Sequence, residues 1–400
     1  MKRVDLVILA GGRGNRISKL TKKIPKPLIK INNIPFIQYL LNYYSKYNLN
    51  KIYILTGYRG DKFLKFHKKL SNLVPIECVR EKKKLDTGGA IFQLRNKIKN
   101  NFIVINGDSF IDYNVTEFIK KKMKKKIIAK IILTKNNNYL SNNKLSKLTI
   151  DKNELVTSNG TLMNSGVYLF KKEIFKYLKL RKISLEKEII PNLIKKKLIQ
   201  GASSNKKFLD IGTYANLSKA KNFLRKNINS CSVFFDRDGV INIDKNYLFK
   251  IKDFKFRKNV IKTLKFLNHK KINIFIVTNQ AGIAKGFYSE NDFLKLSRQV
   301  KTLLDKKNIH INDIEYCPFH INAVIKKYKK NSQFRKPGNL MIKKIKKRWG
   351  IISKKTFMIG DQLSDYKAAK KSRIYFEYVE NDILKQVKRI NKKMKFSNYF

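Results

Sequence analysis

Two aspartates with one residue between them close an apolar run at Val233-Phe234-Phe235-Asp236-Arg237-Asp238-Gly239-Val240-Ile241-Asn242. An alternating strand end turns Asp236 and Asp238 the same way. Paired carboxylates at the carboxyl end of a strand suit Mg²⁺ and phosphoryl transfer. Three further groups follow in order: Val277-Thr278-Asn279-Gln280, Arg335-Lys336-Pro337 and Gly360-Asp361-Gln362-Leu363-Ser364-Asp365. All lie at or after strand ends, so one cleft can collect them. Their types supply a carboxylate nucleophile, a proton carrier, a hydroxyl donor to phosphate, a stabilising lysine and a metal carboxylate.

A second set occupies the first half of the chain. Ala10-Gly11-Gly12-Arg13-Gly14-Asn15-Arg16 follows the first strand. Glycines let backbone approach phosphates and present N–H donors to them, and Arg16 adds a charge-assisted bond. The spacing is that of neither a P-loop nor a GxGxxG fingerprint. In Ile24-Pro25-Lys26-Pro27-Leu28 the prolines fix the backbone, so Lys26 can be held toward the same phosphates. Asp108, in Asn106-Gly107-Asp108-Ser109, and Asp210, in Asp210-Ile211-Gly212-Thr213, each follow an apolar run and adjoin a glycine. Such carboxylates suit a Mg²⁺–phosphate complex.

The elements that must position these groups alternate between strand and helix, which predicts α/β architecture. Strands are expected at 4–10, 51–56, 102–106, 127–133 and 166–170, and a helix at 214–226 closes the first half. Residues 227–230 read as a linker. A new series then runs through strand 232–235, helix 259–269, strand 272–277, helix 290–306 and strands 356–359 and 374–378, with 391–400 aperiodic. The 400 residues, 42% hydrophobic, suffice for two buried cores. No stretch approaches a membrane span of about 20 apolar residues. Met1 leads straight into a strand, and the three cysteines, Cys78, Cys231 and Cys317, are far apart, so a reducing, cytoplasmic setting without a signal peptide is expected. The net charge of +62 is spread along the whole chain. A specific nucleic-acid footprint would be localised, so composition bias is the better reading.

The first-half motifs, with Asn164-Ser165-Gly166-Val167-Tyr168, occur in the order seen in sugar-phosphate nucleotidyltransferases. Thr56-Gly57-Tyr58-Arg59 and Asp86-Thr87-Gly88-Gly89-Ala90 resemble D-glycero-D-manno-heptose 1-phosphate guanylyltransferases in particular. The resemblance implies that Gly11, Gly12, Gly14, Arg16 and Lys26 bind a nucleoside triphosphate. It also implies that Asp108 and Asp210 hold Mg²⁺, that Gly88 and Gly89 lie near base or sugar, and that Asn164 contacts substrate. Two departures stand out. Asp86 replaces a glycine usual in the family, and a Glu-Lys pair usual before Asn-x-Gly is missing from Leu155 to Met163.

The second half resembles the haloacid dehalogenase superfamily. Within it, Asp-Arg-Asp-Gly-Val-Ile-Asn with Thr-Asn-Gln-Ala-Gly-Ile-Ala-Lys-Gly is similar to D-glycero-D-manno-heptose 1,7-bisphosphate 7-phosphatases, with histidinol phosphatases as competitor. By this likeness Asp236 attacks phosphorus, Asp238 carries the proton, Thr278 and Lys336 bind phosphate, and Asn279 and Arg335 face substrate. Asp236, Asp238 and Asp361 are the expected Mg²⁺ set. No large cap domain is expected between Tyr316 and Pro337. Relatives hold zinc near Arg-Lys-Pro. Here only Cys317 and a displaced His320 remain, so no zinc is expected.

The expectation is thus a fusion of two Rossmann-like domains: a GT-A-like nucleotidyltransferase at 1–226 and a phosphatase without a large cap at 231–400. Its substrates would be a nucleoside triphosphate and sugar phosphates, with neither specific nucleic acid nor membrane as partner. Other sugar phosphates, other bases, or a basic nucleic-acid-binding protein with decayed enzyme folds are the alternatives.

Overall fold

The computed structural model of the chain describes residues 3–47, 49–67, 74–135, 147–227 and 231–394. They form two compact α/β units, one reaching residue 224 apart from 45–48, the other containing 45–48 and the chain from 225 onward. Of the expected linker 227–230, residue 227 ends a helix and 228–230 lie outside the described residues, as do 395–400.

The first unit is built on strand β1 (Val4–Leu9), whose VDLVIL sequence is buried almost throughout. Such a run needs cover on both faces, which is the position of a central parallel strand. Helix α1 (Phe36–Ser45) follows, and β1 pairs in parallel with β2 (Leu49–Thr56), which carries β3 (Ile76–Arg80) on its other side. After helix α2 (Asp86–Phe92), β4 (Phe102–Asn106) pairs in parallel with β1, and the short β5 (Ser109–Ile111) follows it. The strands β6 (Ala129–Lys135), β7 (Leu148–Ile150), β8 (Val156–Ser158), β9 (Leu162–Phe170) and β10 (Ile199–Ser204) complete the sheet, β9 running antiparallel to β4. A separate ribbon pairs β5 with β11 (Phe208–Asp210), and helix α3 (Tyr214–Asn227) closes the unit. Leu9 stands in register with Leu55 and Asn106, so the loops after β1, β2 and β4 leave the sheet side by side.

The second unit centres on β12 (Ser232–Phe235), followed by helix α4 (Val260–His269), β13 (Asn273–Asn279), helix α5 (Glu290–Lys306), β14 (Asp313–Cys317), helix α6 (Leu340–Trp349), β15 (Thr356–Gly360), helix α7 (Leu363–Lys371), β16 (Tyr375–Tyr378) and helix α8 (Ile383–Lys393). The five strands run parallel in the order β14-β13-β12-β15-β16. Phe235 is level with Ile276 and Ile359, which brings the carboxyl ends of β12, β13 and β15 together. Residues 391–393, read as aperiodic, belong to α8. Asp382 caps that helix and Ile383, Val387 and Ile390 bury one stripe of it.

Candidate active sites

In the first unit the loops after β1, β2 and β4 enclose a cavity of 690 Å³. Gly11, Gly12, Gly14, Arg16, Lys26 and Asp108 line it together with Gly212. Gly14 turns with φ +69°, a region costly to side chains. A Cβ on Gly11 would sit 2.6 Å from Glu81 Oε1 and 3.2 Å from the Gly57 nitrogen, so a side chain there would have to displace Glu81. Lys26 is buried between the two expected metal carboxylates. Its Nζ donates to Asp108 Oδ2 at 2.5 Å and lies 3.7 Å from Asp210 Oδ1. A Cβ on Gly212 would meet Arg16 Nη2 at 2.8 Å, Asp210 Oδ1 at 2.8 Å and Lys26 Nζ at 3.0 Å, so these three side chains converge over that glycine.

The two carboxylates titrate in opposite directions. Burial pushes the Asp108 carboxyl up, but Lys26, Ser109 and Arg16 outweigh it and hold the group below its ordinary value. Asp210 is raised by burial and by the charge of Asp108, against the pull of Lys26 and a bond from the Gly212 N–H.

Three residues of the expected set face elsewhere. Gly88 and Gly89 are not among the cavity's lining residues, which in this stretch are Asp86, Thr87 and Ala90. Both glycines press against residues 181–183. A Cβ on Gly89 would lie 2.1 Å from the Arg181 carbonyl oxygen, and the Gly88 N–H donates to Ile183 O at 2.9 Å. Asn164 likewise does not line the cavity. Its amide donates to Tyr168 Oη at 2.7 Å and its Oδ1 accepts the Gly166 N–H. Asp86, the departure from glycine, has φ +59° and bonds the Thr87 N–H with its own carboxylate at 2.8 Å, so it keeps the left-handed turn that glycine would make freely.

In the second unit Asp236 follows β12, and its Oδ1 accepts from the Arg237 N–H at 2.7 Å and pairs with Lys336 Nζ at 2.8 Å. Lys336 is almost wholly buried and also pairs with Asp365 Oδ1 at 2.5 Å. Its backbone is pinned by Asn279, whose Nδ2 donates to Lys336 O at 3.1 Å and whose Oδ1 accepts the Lys336 N–H at 3.0 Å. Burial raises the Asp236 carboxyl, Lys336 opposes this, and Asp365 adds to it; the net shift is upward. The Lys336 ammonium is held above its usual range, the neighbouring Asp236 and Asp365 overcoming the penalty of burial.

Asp236, Asp361 and Asp365 bring carboxylate oxygens within 4.8 Å of one another. Asp238, expected among the metal ligands, stands outside that trio. Its carboxylate takes the Arg237 guanidinium at 2.8 Å, Gln280 Nε2 at 3.0 Å and Asn242 Nδ2 at 3.0 Å. Gln280, to which sequence reasoning gave no role, links Asp238 to Thr278, because the same Nε2 donates to Thr278 Oγ1 at 2.8 Å. Tyr288 fixes it in turn through Oε1. Asp365 was legible only as the end of its motif. The fold places it at the third position of α7, where it bonds the Gln362 N–H and faces Lys336. Arg335 is half-buried, one residue before Lys336. Cys317 is buried in the core, and His320 Nδ1 accepts the Asn322 N–H at 3.0 Å.

Both sites suit a divalent cation. In the second, three carboxylates face a single lysine, and the buried Asp361 Oδ1 has no hydrogen-bond partner among the described residues. Gly239, at φ +77°, has Asp361 Oδ2 only 2.3 Å from where a Cβ would stand, so a side chain there would be strained and would displace that carboxylate. In the first, Asp108 and Asp210 present oxygens around one ammonium, with Lys26 and Asp108, but not Asp210, lining the cavity.

Comparison with known proteins divides the chain the same way. Residues 6–142 match the nucleotidyl transferase family and residues 232–394 the polynucleotide kinase 3 phosphatase family. A D-glycero-alpha-D-manno-heptose-1,7-bisphosphate 7-phosphatase of Photorhabdus laumondii is 38% identical over 35% of this chain and 77% of its own length. A D-glycero-alpha-D-manno-heptose 1-phosphate guanylyltransferase of Campylobacter jejuni is 29% identical over 52% of this chain and 95% of its own. Among solved structures, HddC from Yersinia pseudotuberculosis is similar at 27% identity, covering 55% of this chain and 99% of that one, with a TM-score of 0.49. No described helix is long and apolar enough to cross a membrane.

Proposed function

The second half of this chain belongs to the D-glycero-D-manno-heptose-1,7-bisphosphate 7-phosphatase family and its first half to the nucleotidyl transferases, and from this we propose a bifunctional, cytoplasmic enzyme of nucleotide-activated heptose synthesis. The second unit removes the 7-phosphate of a heptose 1,7-bisphosphate. The first joins the resulting heptose 1-phosphate to GMP from GTP and releases pyrophosphate. The observation that carries the reading is a recurrence. In each unit a buried lysine at the strand ends bridges two aspartates: Lys26 with Asp108 and Asp210, Lys336 with Asp236 and Asp365.

In the phosphatase step Asp236 attacks the 7-phosphorus and becomes an aspartyl-phosphate. Asp238, oriented by Arg237, Gln280 and Asn242, protonates the leaving sugar oxygen and then takes a proton from the attacking water. Lys336 and Thr278 hold the phosphate oxygens, with Asn279 fixing the Lys336 backbone and Arg335 toward the sugar. In the transfer step the sugar 1-phosphate oxygen displaces pyrophosphate from the α-phosphorus. The glycine loop with Arg16 and Lys26 binds the triphosphate and offsets the repulsion between the two anions. Mg²⁺, held by Asp236, Asp361 and Asp365 in one site and by Asp108 and Asp210 in the other, would supply charge neutralisation at phosphorus. The partners are small anions, and the dispersed positive charge assists their approach without specifying nucleic acid.

The test is a single incubation of the full chain with Mg²⁺, GTP and D-glycero-α-D-manno-heptose 1,7-bisphosphate, read by mass spectrometry. GDP-heptose with phosphate and pyrophosphate is expected. Absence of turnover at both centres would overturn the reading. Heptose 1-phosphate as the only product would overturn the transferase half.

A further inference from the structure

The glycine pair in α2 brings one carboxylate to the transferase cavity. Gly88 and Gly89 let that helix approach residues 181–183 so closely that backbone bonds cross between them: Gly88 N–H to Ile183 O at 2.9 Å and Ile183 N–H to Leu85 O at 3.0 Å. The contact sets the start of the next segment. Ser184 caps it, accepting the Lys187 N–H, while Glu188 bonds back to the Ser184 N–H at 2.8 Å. Leu185–Ile189 then winds as a π-turn, with the Ile189 N–H donating to Ser184 O at 3.2 Å. Wide turns of this kind recur at functional sites because they re-aim one side chain. Here the re-aimed residue is Glu186, which lines the cavity with Asp86, Thr87 and Asp108.

The Glu186 carboxylate is held by Thr87 and by its own backbone N–H. Thr87 Oγ1 donates to its Oε2 at 3.0 Å, and the same hydroxyl oxygen accepts the Leu185 N–H at 2.7 Å, so helix α2 fixes the carboxylate's position twice. A carboxylate has about four lone-pair sites, and these contacts leave acceptor capacity facing the cavity. A negative group so close to Asp108 repels phosphate and attracts only donors. Burial and the charges of Asp108 and Asp86 push its carboxyl upward, against the pull of its own backbone N–H and of Thr87. The polyphosphate end of the cavity is made by Gly11–Arg16 and Lys26. Glu186 sits beside Asp108, where the acceptor must come to reach the α-phosphorus.

We propose that Glu186 is the specificity-determining acceptor for hydroxyl groups of the sugar 1-phosphate, and that Gly88 and Gly89 are positioning residues that deliver it. The proposal rests on the transferase reading above. It also explains how the site recognises a sugar without the Glu-Lys pair that its resemblance leads one to look for between Leu155 and Met163.

Initial rates of pyrophosphate release would be measured for the full chain and for Glu186→Gln and Glu186→Ala, with heptose, mannose and glucose 1-phosphates, and GTP binding would be read separately by calorimetry. Loss of one hydroxyl–carboxylate bond predicts a fall of about tenfold or more in kcat/KM for the preferred sugar phosphate, carried by its KM. The discrimination among the three sugars should shrink, and GTP affinity should stay within about twofold. Gly89→Ala, if folded, should reproduce the loss of sugar discrimination. Unchanged sugar preference in Glu186→Ala, or a loss confined to GTP, which would place the carboxylate at the ribose, overturns the proposal while leaving the transferase reading intact. A wild-type chain that releases pyrophosphate with none of the sugars overturns both.

Discussion

The two lysine-bridged centres differ in what surrounds the lysine. Lys26 faces two carboxylates with Arg16 beside it, so the site is close to neutral, and the Asp108 side chain is 33% exposed. Lys336 faces Asp236 and Asp365, with Asp361 nearby, and the Asp365 side chain is 0% exposed. The first arrangement fits an open cavity that takes in a triphosphate already carrying its cation. The second is a more deeply buried, net-negative cluster that favours a resident cation before any phosphate arrives. Transfer between two bulky anions needs room, whereas hydrolysis through an aspartyl-phosphate needs one carboxylate held still.

The largest expected effect separates the centres outright. Asp236→Asn should lower phosphate release on the order of 10⁴-fold while pyrophosphate release from supplied sugar 1-phosphate and GTP stays within about twofold. Asp108→Asn should do the reverse. Either change silencing both activities in a folded protein would break the comparison.

Removing the lysines tests the difference in burial. Lys336→Met strands Asp365, which is fully buried, beside the nearly buried Asp236, and should cost about 3–5 kcal/mol. Lys26→Met leaves Asp108 partly hydrated and should cost less than half as much. Chemical denaturation followed by amide exchange in each unit reads both values, and equal losses would mean that exposure is not what distinguishes the sites.

Titration sharpens the contrast further. Asp108 lies below its unfolded value, so its contribution is present above the ordinary carboxylate range and is lost as pH falls through its lowered value. Asp236 lies above its unfolded value, so without metal the folded state binds the extra proton. The second unit should therefore gain local stability as pH falls from its raised value toward the ordinary one. Exchange of β12 amides against pH in chelator, with Asp236→Asn as control, measures this. A flat profile would contradict the assigned direction.

The smallest effect concerns Asp86. Replacing it with glycine should relieve the φ +59° turn and stabilise the first unit by up to about 1 kcal/mol without altering the phosphatase. A loss of stability would mean that its bond to the Thr87 N–H is worth more than the backbone strain.

Much of the chemistry was legible because it sits where apolar runs end: Asp108, Asp236 and Asp361 follow buried strands, and Thr278 lies in the last two residues of one, whose β-branched and aromatic residues announce them. What was not legible depends on contacts between distant segments. β7, β8 and β11 have only three residues each, too few for a pattern of period two to register. Helix α2 contains Gly88 and Gly89, which weaken helix propensity and are tolerated there because residues 181–183 need the space. Gln280, Asp365 and Glu186 are ordinary polar residues in sequence. Only folding gives each its partner, Asp238, Lys336 and Thr87 respectively.

Gly239 carries a different kind of lesson. Its absent side chain leaves Asp361 Oδ2 2.3 Å from the point a methyl group would occupy. An alanine there would act as a wedge, turning that carboxylate away from Asp236 and Asp365 without removing any charge. The phosphatase centre is therefore shaped by a reserved gap as well as by its acids.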